Sequence, residues 1–284
     1  SNAPDLIRVG LMNITYETKN NIGILGFDQK DSKVNVLNSE TMKEFENRLV
    51  EAKHDASLAA LIIESRKKDI FIAGADIKEI EGITEAIEGE EKSRAGQEIL
   101  NKLEDLAIPT VAVIGGVALG GGCELALACT YRVATFNEKV KIGLPEVNLG
   151  LIPGLAGTYR LPRLVGLSES LKLILSGKPV SSQKALRIGL ADRLFPQAGL
   201  ENYVLGFAEE IKNSILSGKF APGERLRFDD LRKRLDVGIS PLREALIRLT
   251  AEGLVVTEER RGFRVAPVSD DDLTELAMLR GEID

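Results

Sequence analysis

Two glutamates set in glycine-rich, otherwise apolar sequence are the residues best placed to do chemistry. Glu124 lies in GGGCELALA and Glu146 in GLPEVNLG. Ahead of Glu124, the β-branched run from Thr110 to Ile114 reads as a buried strand. Glycines at 115, 116, 120, 121 and 122 follow, and a short apolar helix is expected to begin near Cys123. Strand, glycines and helix start, in that order, present free backbone N–H groups at the positive end of a helix, where an anion is stabilised. Phosphate fails on spacing. A dinucleotide fingerprint counted from Gly120 and Gly122 needs glycine where Leu125 stands, and a P-loop needs lysine where Gly121 or Gly122 stands. A glycine cluster alone more often marks a tight turn. Complementing the helix dipole would account for Glu124, at roughly 0.3–1 kcal/mol, but not for Glu146. The pair is what points to chemistry.

The elements that must hold this pair lie on both sides of it. ITYET and IGILGF alternate apolar and polar residues and read as two strands turning at Lys19-Asn20-Asn21. Asn38 or Ser39 can cap a helix whose Met42, Phe45 and Leu49 form an apolar stripe. Leu58 to Glu64 reads as a buried strand, Ile70 to Ala73 as the start of another, and Gly74-Ala75-Asp76 passes into a short helix. A longer helix with Ala95, Ile99 and Leu103 on one face leads to Pro109. After Gly166 come two helical stretches, the second capped by Ser181-Ser182, and then ADRLFP as a strand. Alternating strand and helix argue an α/β domain, with periodicity leaving open whether the sheet is doubly wound or coiled.

Composition bounds the rest. The chain has 284 residues, 44% hydrophobic and 28% charged, enough for one large domain or two ordinary ones. The formal net charge of −6 excludes a uniformly basic nucleic-acid binder, but the charge is unevenly spread. Residues 211 to 268 carry twelve cations and eight anions, a balance of +4 against −10 elsewhere. Cys123 and Cys129 are too few and badly spaced for a disulfide framework or a zinc site, and no metal site is expected. The single histidine, His54, sits between Lys53 and Asp55 and reads as solvated rather than catalytic. Ser-Asn-Ala at the start reads as a tag remnant, and residues 1–13 are set apart from the fold. With no signal-like or membrane-spanning run, the expected setting is reducing and cytoplasmic, without a membrane partner.

GGGCELA, IGLPEVNLGLIPG, GTYRLPRLVG and the upstream FIAGADIKEI together resemble the crotonase, or enoyl-CoA hydratase/isomerase, superfamily. They are most similar to the hydratase part of fatty-acid oxidation α-subunits, over about residues 14–210. The resemblance implies a spiral of ββα turns and an acyl-CoA thioester as substrate, with coenzyme A arriving as part of that substrate and no separate cofactor. It implies N–H donors at Ala75 and Gly121 for the thioester oxygen, and a CoA side lined by Ala73, Asp76 and Ile77. Glu124 and Glu146 match the two acids that hold a water, with their acid and base roles left open, and Gly154 matches the N–H that steadies it. Ala156 departs from the family's common pattern, which usually has glycine there. Hydration of a 2-enoyl-CoA in β-oxidation is the implied activity, with isomerisation beside it, in a trimer or hexamer.

From residue 211 the sequence resembles a second family. ILSGKFAPGERL followed by LRKRLDVGISPLREALIRLTAEGLVVTEERRGFRVAPVS is similar to the winged helix-turn-helix head of GntR-type regulators. Ser240-Pro241 would open a recognition helix carrying Arg243, and Arg260-Arg261-Gly262 would tip the wing. Arginine at a helix N-terminus can fork onto guanine, and wing arginines can reach phosphate or the minor groove. Many relatives have arginine where Ile239 stands. A DNA-binding head over 211–284 is therefore the alternative reading. Leu200 to Leu216 is expected to form one helix between the two parts. Measured against both families, the crotonase-like part ends short of its covering helices and the regulator-like part short of its effector domain. The chain reads as a fusion of two shortened parts.

Overall fold

The computed structural model describes residues 13–196 and three short strands at 225–226, 255–258 and 262–265. The chain divides into two compact units, Ser1–Lys212 and Asn213–Asp284.

The first unit opens with β1 (Ile14–Lys19) and β2 (Ile22–Phe27), an antiparallel pair. Asn20 and Asn21, at φ 50° and 63°, make the turn, as the two positive φ values of a tight hairpin demand and asparagine tolerates. All six residues of β2 are buried. Helix α1 (Ser39–His54) starts where Asn38 accepts the Thr41 N–H at 2.8 Å, a cap worth about 1 kcal/mol. Its buried face carries Phe45 and Leu49, and Phe45 meets Phe27 at a ring separation of 5.5 Å.

From here three successive strands of a six-stranded sheet are each followed by a strand of a smaller sheet. β3 (Ala60–Ser65) joins the large sheet and β4 (Ile70–Ile72) the small one; α2 (Ile77–Glu81) and α3 (Ala86–Glu104) follow. β5 (Thr110–Ile114) returns to the large sheet and β6 (Val117–Leu119) to the small one, before α4 (Gly121–Ala128). β7 (Tyr131–Thr135) and β8 (Lys141–Gly143) repeat the step. A 3-10 turn, Glu146–Leu149, leads to α5 (Gly157–Val165), α6 (Leu167–Ser176), α7 (Ser182–Ile188) and β9 (Arg193–Phe195). The large sheet runs β1-β2-β3-β5-β7-β9 and the small one β4-β6-β8, parallel except for β1–β2. A doubly wound single sheet would not divide its strands this way. The arrangement is the coiled ββα alternative.

β5, α4 and β7 are buried along their whole length, as parallel strands covered on both faces require. A buried ion pair ties this centre to Asp192, the residue before β9. Arg132 Nη2 meets Asp192 Oδ2 at 2.9 Å, while Arg132 Nη1 donates to the Cys129 carbonyl at 2.7 Å.

Two details differ from the sequence reading. β6 is a separate strand of only three residues between the two glycine groups, too short to register as periodicity. Helix α4 begins at Gly121, two residues before Cys123, because Gly120 turns the chain at φ 51°, ψ −125°, which glycine alone adopts readily. Gly122 matters for a different reason: a Cβ there would lie 2.2 Å from the Ile72 carbonyl oxygen, so only glycine lets α4 sit against β4.

In the second unit the described residues form a three-stranded sheet. β11 (Val255–Glu258) and β12 (Gly262–Val265) are an antiparallel pair, and β10 (Arg225–Leu226) pairs with β12 on its other side. The pair falls where the wing is expected, with Gly262 opening its second strand. Ser240, Arg243, Arg260 and Arg261 lie outside the described residues, as does the expected helix from 200 to 216.

Candidate active site

The chain leaves β4 through Ala73 and Gly74, and Ala75 bridges to Leu37 in parallel register. The Leu37 N–H donates to the Gly74 carbonyl at 2.8 Å and the Asp76 N–H to the Leu37 carbonyl at 3.3 Å, fixing the crossing. Neither bond uses the Ala75 N–H. Gly121 opens α4, so its N–H lacks an intrahelical acceptor by construction. A Cβ on Gly121 would stand 3.6 Å from the Ala75 nitrogen, which makes the two backbone donors neighbours. Asp76 caps α2, taking the Lys78 N–H on Oδ1 at 2.9 Å, and Ile77 follows half exposed.

Glu124, one turn into α4, is 2% exposed. Its Oε1 accepts two N–H groups, from Leu155 at 2.8 Å and Gly157 at 2.7 Å. Burial still dominates and, with the charge of Glu146 added, pushes its carboxyl up to about 7 against those two bonds. Glu146 opens the 3-10 turn after β8, half-buried, its carboxyl also raised by burial. Its Oε2 is buried without a hydrogen-bond partner among the described residues. Gly120, with no side chain, leaves room beside it: a Cβ there would be 3.2 Å from Glu146 Oε1.

A cavity of about 800 Å3 joins these groups. Glu124, Glu146, Ala75, Gly121 and Gly154 all border it, and so do Ala73, Asp76 and Ile77 at the crossing. Residues far apart in sequence thus open on one space. It offers two adjacent backbone donors and two carboxylates reluctant to ionise, a combination that can stabilise a developing oxyanion and exchange protons beside it.

Sequence reasoning missed the groups that hold Glu124. Leu155 and Gly157 act through backbone N–H groups, which residue type does not disclose. Arg160, 5% exposed, holds their loop. Its Nη1 donates to the Leu155 carbonyl at 2.9 Å, Nη2 to Asn101 Oδ1 at 2.7 Å and Nε to Glu104 Oε2 at 2.8 Å. On α3, Ser93 and Gln97 both reach the Gly154 carbonyl, at 2.6 and 2.7 Å. A polar pair four apart beside Gly96 and Leu100 is the one sequence signal for this staple. Ala156 takes φ 70°, ψ 23°, a left-handed position that explains why glycine suits it.

Comparison with known proteins bears on both units. The profile of the enoyl-CoA hydratase/isomerase family matches residues 17–221, and that of the bacterial regulatory proteins, gntR family, residues 206–265. Fatty acid oxidation complex subunit alpha of Vibrio parahaemolyticus is 38% identical over 247 residues, covering 82% of this chain and 35% of its own length. The corresponding subunit of Shewanella loihica is 46% identical over 179 residues, 63% of this chain and 25% of its own. The chain therefore spans about a third or less of these curated relatives. Among solved structures, an enoyl-CoA hydratase from Bacillus anthracis superposes with a TM-score of 0.68 at 28% identity, covering 85% of this chain and 83% of that one. One from Geobacillus kaustophilus gives 0.67 at 27% identity, covering 95% and 94%. With the spiral fold, the paired donors and the paired carboxylates in place, the chain belongs to the enoyl-CoA hydratase/isomerase family.

Proposed function

We propose that the first unit adds water across the 2,3 double bond of a 2-enoyl-CoA thioester, as in fatty-acid β-oxidation. The observation that carries this reading is the convergence of the Ala75 and Gly121 N–H groups with Glu124 and Glu146 on one cavity. The thioester oxygen sits between the two N–H groups, which are already oriented and need no rearrangement as negative charge develops. Ala73, Asp76 and Ile77 lie along the CoA side. One water lies between the carboxylates, steadied by the Gly154 N–H. Its oxygen bonds to C3 while one carboxylate takes its proton, and the pair returns a proton to C2. Electrons and atoms balance without a redox partner, so the reading calls on no cofactor beyond the coenzyme A of the substrate.

The raised carboxyl of Glu124 suits this exchange, since both protonation states are populated near neutrality. The charge of Glu146 acts on Glu124, and the acid and base roles are assigned to the pair. The same enolate would serve a double-bond shift, which places isomerisation within reach of the same residues. Loss of the enoyl-thioester absorbance of crotonyl-CoA on addition of the full chain tests the reading; an unchanged absorbance contradicts it.

A second reading concerns residues 213–284. The gntR-family match and the β11–β12 hairpin support a DNA-binding head, with Ser240 and Arg243 at a recognition helix and Arg260, Arg261 and Gly262 at the wing. Contacts made mainly to phosphate release counterions, so binding should fall steeply with salt. A mobility shift on duplex DNA at low salt is expected to weaken with Arg243→Ala and Arg261→Ala. Unchanged binding by both variants contradicts a DNA face.

A further inference from the structure

The loop that holds Glu124 is itself gripped from α3, and the grip passes through a single peptide group. The carbonyl of Gly154 accepts from Ser93 Oγ at 2.6 Å and from Gln97 Nε2 at 2.7 Å. The N–H on the far side of that same peptide, Leu155's, donates to Glu124 Oε1 at 2.8 Å. Ser93 and Gln97 are one helical turn apart and linked to each other, Gln97 Nε2 lying 3.2 Å from Ser93 Oγ. We propose that Ser93 and Gln97 are positioning residues for Glu124, acting through the Gly154–Leu155 peptide.

Two effects follow from the geometry. Two donors on one carbonyl fix the peptide plane, which sets where Glu124 Oε1 rests. Hydrogen bonds in series also polarise one another, so donors on the Gly154 oxygen strengthen the Leu155 N–H as a donor to the carboxylate. Arg160 grips the next carbonyl, that of Leu155, from α5. The loop is thus held from two helices, and only the α3 grip is in series with the bond to Glu124. A plain tertiary staple between α3 and the loop would be enough to explain stability. It would not couple the α3 side chains to the ionisation of Glu124. Among the described residues, the other charged or titratable groups facing Glu124 are Glu146 on the 3-10 turn, Arg160 on α5 and Cys123 on α4 itself, and none of them changes in the variants below.

The proposal rests on the hydratase reading for its effect on rate, so the test has one readout that needs no activity. In the full chain with glutamate labelled at the side-chain carboxyl carbon, NMR titration follows Glu124, assigned by its absence in Glu124→Gln. Ser93→Ala and Gln97→Met should each move the Glu124 midpoint upward, because a weaker N–H donor favours the protonated form. Each should also lower kcat by about threefold to tenfold, the range expected for losing one hydrogen bond, with a smaller change in KM. Ser93→Thr keeps the hydroxyl and should stay near the parent in both readouts. An unmoved midpoint in both variants overturns the proposal, and so does a Ser93→Thr variant that falls together with Ser93→Ala. If the parent chain hydrates no enoyl-CoA, the hydratase reading fails by itself, while an upward-shifted midpoint still upholds the grip on Glu124.

Discussion

At the scale of single residues, Glu124 carries a cost that can be measured apart from catalysis. Burial raises its carboxyl from about 4.5 to about 7, so the folded chain keeps a proton that the unfolded chain gives up across that interval. Its contribution to stability is full below about pH 4.5 and is lost as pH rises through 7, by on the order of 3 kcal/mol. Glu124→Gln has no charge to bury and should lose this slope. Urea midpoints compared at pH 5 and pH 8 should fall further for the parent than for the variant; equal falls contradict the raised carboxyl. The sequence disclosed Glu124 and Glu146 because acids in apolar, glycine-rich surroundings have few bland explanations. It did not disclose Leu155 and Gly157, whose contribution is an N–H that every residue but proline has. Arg160 was hidden for a related reason, since an arginine in an amphipathic helix reads as surface until its partners are known.

At the scale of elements, long apolar or well-capped stretches were legible and short ones were not. α1 declared itself through Asn38, Phe45 and Leu49, and β5 through five apolar or β-branched residues. β6 has three residues and takes its direction from β4 and β8, which lie far away in sequence. For that reason the coil of two sheets came from motif resemblance and not from pattern. The loop before α5 shows how local conformation and site geometry meet. Ala156 holds a left-handed conformation there, which costs a residue with a Cβ about 1–2 kcal/mol. Ala156→Gly removes that cost, offset by about 0.4–1 kcal/mol from a freer unfolded chain. The variant should therefore be more stable by roughly 0.5–1 kcal/mol in urea unfolding, and a clear loss of stability contradicts strain at this position.

At the scale of the whole molecule, α6 presents Leu167, Leu171 and Leu175 to solvent at four-residue spacing, a continuous apolar stripe on one helix face. A second copy of this chain presenting the same stripe would bury it. Sedimentation should show an assembly larger than a monomer that weakens in Leu171→Glu, whereas a monomeric parent contradicts this. No described helix is long and apolar enough to cross a membrane. In the proposed reaction Glu124 and Glu146 act together on one water. General acid–base catalysis supplies about 10²–10⁴-fold, while in the proposed reaction the grip on the thioester oxygen belongs to the separate Ala75 and Gly121 donors. The most direct measurement is hydration of crotonyl-CoA by the parent, Glu124→Gln and Glu146→Gln, with binding of the 3-hydroxyacyl-CoA product followed by calorimetry. Each substitution is expected to lower kcat by about 10²–10⁴-fold and leave product affinity nearly unchanged. A parent that hydrates and a Glu146→Gln variant that keeps most of its rate would contradict the two-carboxylate account.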